Sequence, residues 1–184
     1  NLMFGELDIK TPAVRALDAV TARTNGSYTR LSFEAARLQE VAGPLSLYGE
    51  VRGQLASKNL DSSEKMELGG AYGVRAYPEG EAYGDQGYIL TAEARLRLAR
   101  LSEFTGGQLQ AVVFADTGSV TLSKSPWAAG PNRRTLSAAG VGLTWADAHN
   151  LAIKVSYAFK LGNEPAISAP DRSGRFWVQI SKFF

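Results

Sequence analysis

Arg75 is the one arginine in the glycine- and tyrosine-rich run 69–93, and its setting points to specific chemistry more than any other residue's. A guanidinium is a rigid planar fork that can meet a carboxylate with two hydrogen bonds. Gly69, Gly70 and Gly73 supply permissive backbone dihedrals ahead of it or close by, and Pro78 stiffens the expected tip. The run is too polar for a core and too long for a hairpin turn. Loops of this length without secondary structure of their own are functional or disordered. Other chemistry is thin. His149 lies in a short polar turn with no serine or cysteine nucleophile patterned around it. The acid pairs Asp61/Glu64 and Glu79/Glu81 fall in loops and are expected to be solvated rather than to bind calcium. Gly69 to Gly73 has neither a phosphate-loop lysine nor a following helix, so it is no nucleotide site. With no cysteines there are no disulfides and no thiolate metal sites. The expectation is a protein that is not an enzyme and needs no cofactor or metal.

The elements that must position Arg75 have a period of two. In 45–55, Leu45, Leu47, Gly49, Val51, Gly53 and Leu55 share one face, opposite Ser46, Tyr48, Glu50, Arg52 and Gln54. Residues 88–98 set Tyr88, Leu90, Ala92, Ala94, Leu96 and Leu98 against Thr91, Glu93, Arg95 and Arg97. Residues 151–161 set Leu151, Ile153, Val155, Tyr157, Phe159 and Leu161 against Lys154, Ser156 and Lys160. Successive strand side chains point to opposite faces, so each segment has one apolar and one polar wall. Residues 2–9, 27–39, 108–117, 135–145 and 175–184 are less regular members of the same set, giving about eight strands. No window shows a helical stripe, although Ala13 to Ala22 can form a turn or two inside a loop.

A soluble sandwich would also alternate, with its apolar wall turned inward. Strand length and loop asymmetry favour a membrane barrel instead. Soluble strands run about five or six residues, whereas about ten tilted residues cross an apolar band of some 25 Å. Long connections near 10–26, 58–87, 118–134 and 162–174 alternate with short ones at 42–44, 101–106 and 147–150. Outer-membrane barrels have that asymmetry, with the short turns on the periplasmic side. By parity the C-terminus is periplasmic and the 58–87 loop is outside. Leu47, Val51, Leu90, Leu96, Ile153, Val155 and Phe159 should then face lipid, and Glu50, Arg52, Glu93, Arg95 and Lys154 the lumen. In the same register Phe114 and Asp116 point inward with Gln108 and Gln110. Hydrophobic residues make up 45% of the chain, yet its longest apolar run, Ala111 to Ala115, is far short of the roughly 18 residues of a membrane helix. The net charge of +2 is dispersed, so there is no nucleic-acid footprint. Trp127 and Trp145 suit either interfacial girdles or ordinary packing.

Two motifs carry a family resemblance. Val74-Arg75-Ala76-Tyr77-Pro78, preceded by Leu68-Gly69-Gly70 and followed by 80–87, resembles the sixth extracellular loop of two-partner secretion transporters. Phe114-Ala115-Asp116-Thr117-Gly118 resembles a second signature of that superfamily, on the strand that receives the folded-in loop. Carried onto this chain, the resemblance pairs Arg75 with Asp116, and Glu93 is a candidate second acceptor. In a half-wet lumen such a pair is worth about 1–3 kcal/mol. Ala76 departs from the pattern, because glycine is common there and alanine resists positive φ.

The resemblance implies an all-β fold: an antiparallel transmembrane β-barrel, with residues 1–184 matching the C-terminal half of a barrel of about 16 strands and the signature loop at 59–86. The plug helix, POTRA domains and first strands of such transporters are absent from this sequence. The chain begins without a signal peptide, as a mature, truncated or excised segment would. The implied function is passive export, in two-partner secretion, of a large dedicated exoprotein of the haemolysin or adhesin type across the bacterial outer membrane. The implied partners are that exoprotein, outer-membrane lipid and the barrel-assembly machinery. Phe184, ending an alternating apolar run, resembles the C-terminal signal read by that machinery, and also suits a plain hydrophobic last strand. Lys182 interrupts the Phe184 face near the interface, where it can snorkel. The rival within the superfamily is a barrel-assembly insertase. The rival of another class is an outer-membrane lipid hydrolase, whose serine and histidine on one outward face are not apparent. If the eight strands stood alone, their closed lumen would be filled by side chains, so the loop should be expelled or a dimer should form.

Overall fold

The alternating segments become strands of one antiparallel sheet in the computed structural model, which describes residues 1–182. Its strands are β1 (Leu2–Leu7), β2 (Gly26–Ala42), β3 (Leu45–Ala56), β6 (Gln86–Arg97), β7 (Gln108–Thr121), β8 (Arg133–Ala146), β9 (Leu151–Lys160) and β10 (Gly174–Lys182). A two-stranded ribbon, β4 (Met66–Glu67) with β5 (Tyr83–Gly84), lies within the long β3–β6 connection. Each sheet strand pairs with its neighbour in the chain, the β3–β6 pair spanning the ribbon. Two helices occupy connections: α1 (Pro12–Val20) between β1 and β2, and α2 (Ala99–Thr105) between β6 and β7. The second was read from sequence as a short turn, and the first as no more than a turn or two. α2 stops at Gly106, whose φ of 66° is the left-handed conformation that ends a helix and that glycine adopts without strain.

Register decides what each wall meets. On one face Leu47, Leu90, Leu96, Val113, Val141, Phe159, Phe176 and Ile180 are exposed, with Val51, Ile153 and Val155 half-buried beside them. On the other face Glu93, Phe114, Asp116, Leu136, Ala138, Ser156 and Ala158 are buried. A soluble β domain would bury the first set and wet the second. Arg37 and Gln39 are polar exceptions on the apolar face, opposite Gly49 and Leu47, and the Arg37 guanidinium donates to the Gln39 side chain at 2.7 Å. Among the described residues no helix is long and apolar enough to cross a membrane. That bears only on helices.

The core sits against the inner wall, and the long loop supplies much of it. Leu68, Val74, Ala76, Tyr77 and Ala82 pack with Ile89, Val112, Phe114, Val120, Leu136, Ala138 and Ala158. The sequence reading excluded this loop from any core and gave it no secondary structure. Both points are corrected. The β4–β5 ribbon forms its neck, a 3₁₀ turn spans Ser62–Glu64, and the apolar side chains among its glycines fill the space over β6 to β9.

The sheet is open, and among the described residues neither β1 nor β10 has a second neighbour. Even so, the loop is folded against the inner wall, with Arg75 only 3% exposed. The expelled loop expected of an isolated eight-strand unit is therefore not the arrangement observed, because an open sheet leaves room that a closed eight-strand barrel lacks.

Candidate functional site

The loop is steered inward by its glycines. Its limbs are joined where Leu68 and Gly69 donate their backbone N–H groups to the Glu81 carbonyl, both at 3.1 Å. Gly70, at φ 96°, turns the chain and donates to the Tyr77 carbonyl at 3.1 Å. A methyl group on Gly69 would strike the Pro78 carbonyl. Pro78 thus lies beside the neck, and the tip is 71–76. Ala76 is buried and is not among the residues with positive φ, so alanine is accommodated there without strain.

This path delivers Arg75 to the wall. Its Nε donates to Asp116 Oδ2 and its Nη2 to Asp116 Oδ1, both at 2.8 Å, the two-bond geometry that a guanidinium fork suits. Nη1 donates to Glu93 Oε1 at 2.8 Å, and the backbone N–H of Arg75 reaches Asp116 Oδ2 at 3.3 Å. Arg95 occupies the other Glu93 oxygen at 2.8 Å, and the Thr91 hydroxyl donates to Asp116 at 3.2 Å. Below the guanidinium lies the Phe114 ring, 3.4 Å from its carbon to the ring centroid, a cation–π contact. From β10, the Trp177 indole donates to the Arg75 carbonyl at 2.6 Å. Burial alone would disfavour the charge on Arg75, but Asp116 and Glu93 outweigh it and raise its pKa above the ordinary value. The pair is buried rather than half-wet, which alters its energetics.

Each remaining sequence candidate has a place. Gly118 makes room for Leu68, whose Cδ2 lies 2.9 Å from where a Cβ would stand. Arg52 donates to the Tyr72 carbonyl. Beside Arg75 a cavity of about 150 Å³ is lined by Tyr48, Glu50, Arg95 and Lys154 among others, a wall of both charge signs. Asp61 caps the 3₁₀ turn through Ser63, and Glu64 pairs with Arg30 at 2.9 Å. Glu81, expected to be solvated, is instead fully buried and paired with Arg134. Trp127 is half exposed in an outer connection. Trp145 packs over Gly107 with its buried N–H unpaired. His149 sits in a turn whose Asp147 carboxylate takes its N–H, and its carbonyl accepts from Lys182. Phe184 lies outside the described residues. No cluster of three or more metal-ligating side chains occurs among the described residues.

Several residues that build the site went unread in the sequence. Trp177, Leu136, Ala138, Gly140 and Ala158 form the floor on which the loop rests. The available signal was the run of small residues on the inner side of β8 and β9, where a polar lumen wall would normally carry longer side chains.

Residues 4–145 match the family model of the haemolysin secretion/activation protein ShlB/FhaC/HecB. The chain belongs to this family of two-partner secretion transporters. It is 35% identical over 141 residues to the heme/hemopexin transporter protein HuxB of Haemophilus influenzae strain 86-028NP, covering 73% of this chain and 23% of that protein. Against HuxB of strain ATCC 51907 / DSM 11121 / KW20 / Rd it is 29% identical over 191 residues, 100% of this chain and 32% of the relative. The chain thus spans about a quarter to a third of the length of these relatives. Its fold is similar to CdiB from Escherichia coli, with a TM-score of 0.70 at 19% identity over 86% of this chain and 28% of that one. As a member of the ShlB/FhaC/HecB family it is a β-barrel protein of the outer membrane. The exposed apolar wall is accordingly its lipid face, and the buried polar wall faces the lumen.

Proposed function

We propose that this segment forms part of the wall and the internal loop of a conduit through which a secreted partner crosses the outer membrane in two-partner secretion. The single observation that carries the reading is the buried Arg75 fork on Asp116 and Glu93, which holds a loop inside the lumen by ion pairs and hydrogen bonds with no covalent tie. Such a tie fixes a loop while leaving it removable. The lumen wall beside it, with Glu50, Arg52, Arg95 and Lys154, offers an extended polypeptide both charge signs, so no single class of side chain is held tightly. The conduit performs no chemistry on its cargo in this reading.

The cargo we propose is a large dedicated exoprotein of the haemolysin or adhesin type. Because the curated relatives are described as heme/hemopexin transporters, a haem- or hemopexin-directed exoprotein is the first to test. Barrel-assembly machinery is the proposed partner during biogenesis. In full-length protein, Arg75→Glu and Asp116→Arg are each expected to reduce export of the secreted partner at least tenfold with the barrel still inserted. The double exchange should recover part of the loss. Export that is unchanged in both single variants would overturn the role given to this pair.

A further inference from the structure

The loop is fastened a second time, away from Arg75. Glu81, on its returning limb, is fully buried with both carboxylate oxygens occupied. Oε1 accepts from Arg134 of β8. Oε2 accepts from the backbone N–H groups of Ile167 and Ser168, each at 2.9 Å, and from the Ser168 hydroxyl at 2.8 Å. These two residues belong to 161–173, the outer connection between β9 and β10. That connection lies across the loop as a strap. The Tyr77 hydroxyl donates to the Glu164 carbonyl at 3.0 Å, Arg134 also donates to the Pro165 carbonyl at 2.8 Å, and Ala166 joins the core beside the loop. Both ends of the strap run directly into sheet strands, so what it holds is held to the wall.

We propose that Glu81 is a positioning residue for export: its carboxylate locks the strap 161–173 over the seated loop, making a second restraint at the neck that must open in addition to the Arg75 restraint at the tip. This rests on the export reading above. The Arg75 guanidinium engages β6 and β7 and the Glu81 carboxylate engages β8 and the β9–β10 connection, with only the backbone bond from Trp177 of β10 to Arg75 lying near both. Loss of one therefore leaves the other in place. A carboxylate that takes two consecutive backbone N–H groups and an arginine also discriminates by charge, since a neutral amide has one accepting oxygen and sets a donating NH2 against the other donors.

The test uses full-length protein in lipid vesicles, read by trypsin cleavage after the exposed Arg172 in the strap and by ion conductance in the absence of cargo. Glu81→Gln is expected to speed strap cleavage about tenfold, the size of effect expected for losing a charged hydrogen-bond partner, and to raise resting conductance. Glu81→Asp should restore part of the protection. Arg75→Ala combined with Glu81→Gln should raise conductance beyond either single change. Ser168→Ala is the second probe should Glu81→Gln fail to fold, with a smaller rise in cleavage expected. Wild-type cleavage in the Glu81 and Ser168 variants overturns the proposal, as does a double variant no more conductive than Arg75→Ala alone. Strap cleavage requires no export, so altered cleavage with no secreted partner would sink the export reading and leave the strap lock standing.

Discussion

At Gly140 of β8 only a hydrogen stands where any other residue would drive a carbon into both the Tyr157 backbone carbonyl and the Phe114 ring. The Arg75 guanidinium carbon lies over that ring, 3.4 Å from its centroid, so the missing side chain on one strand leaves room for the surface on which a cation held by two others rests. Gly140→Val is expected to tilt Phe114, weaken loop seating by about 1–3 kcal/mol as overpacking does, and lower the urea midpoint of the full-length protein in vesicles. Phe114→Leu in the same background should relieve part of that strain. Breaking the ion pair costs more than it would in a half-wet lumen. Arg75, Glu93 and Asp116 have almost no exposed surface, and removing one member strands the others. Asp116→Ala is expected to cost about 3–5 kcal/mol. An equilibrium unfolding loss under about 1 kcal/mol would show that water reaches the pair.

The strands were legible from sequence because lipid on one side and loop or water on the other favour period-two alternation along most of their length. The loop's interior was not legible. Leu68 and Val74 are separated by three glycines, and with Tyr77 they follow no period, so they become a core only after the backbone has turned at Gly70. Glu81 was misread for a related reason. Its strap partners lie 86 and 87 residues along the chain, beyond the reach of any local pattern. α2 was missed because seven residues hold less than two full turns of stripe. The strap also has a defined pH response. Burial pushes the Glu81 carboxyl up, but hydrogen bonds from Ser168, Arg134 and Ile167 outweigh it and hold it below the ordinary value of 4.5. A carboxyl depressed in the folded state contributes stability that is full above 4.5 and is lost as the pH falls through the lower folded value. Arg134 faces it from β8, and the strap's Asp171, bonded to Lys160 of β9, is likewise depressed, while Glu164 interacts with Arg134 at 3.7 Å. Hydrogen exchange at the Ile167 and Ser168 amides, corrected for intrinsic rates, should stay slow from neutral pH down to 4.5 and accelerate only below it. Acceleration that begins well above that value would contradict the sign of the shift.

The outer ends of the sheet are tied to one another as well as to the loop. Asn59 accepts from the Ser125 N–H and donates to the Ala22 and Ser125 carbonyls, while Asp85 accepts from Leu60 and Lys124, so three long connections meet over the neck. Below them, β1 and β10 have no second neighbour among the described residues, and an apolar solvent tolerates no unpaired edge. Residues 1–184 hold no cysteine, so Met3→Cys and Gln179→Cys on the inner wall, each labelled with a thiol-reactive photocrosslinker, can report what covers them. Each is expected to cross-link in full-length protein to strands outside residues 1–184, and the two not to each other. Efficient cross-linking between 3 and 179 would mean that these eight strands close by themselves. The Trp177 bond to the Arg75 carbonyl carries a consequence for biogenesis. It joins residues 102 positions apart, and contacts so distant in sequence form late because the intervening chain must first be ordered. The tip of the loop cannot complete its contacts until β10 has arrived. A barrel whose lumen loop is fully seated is therefore one in which β10 has already been placed, and loop docking becomes a record that this strand has been inserted.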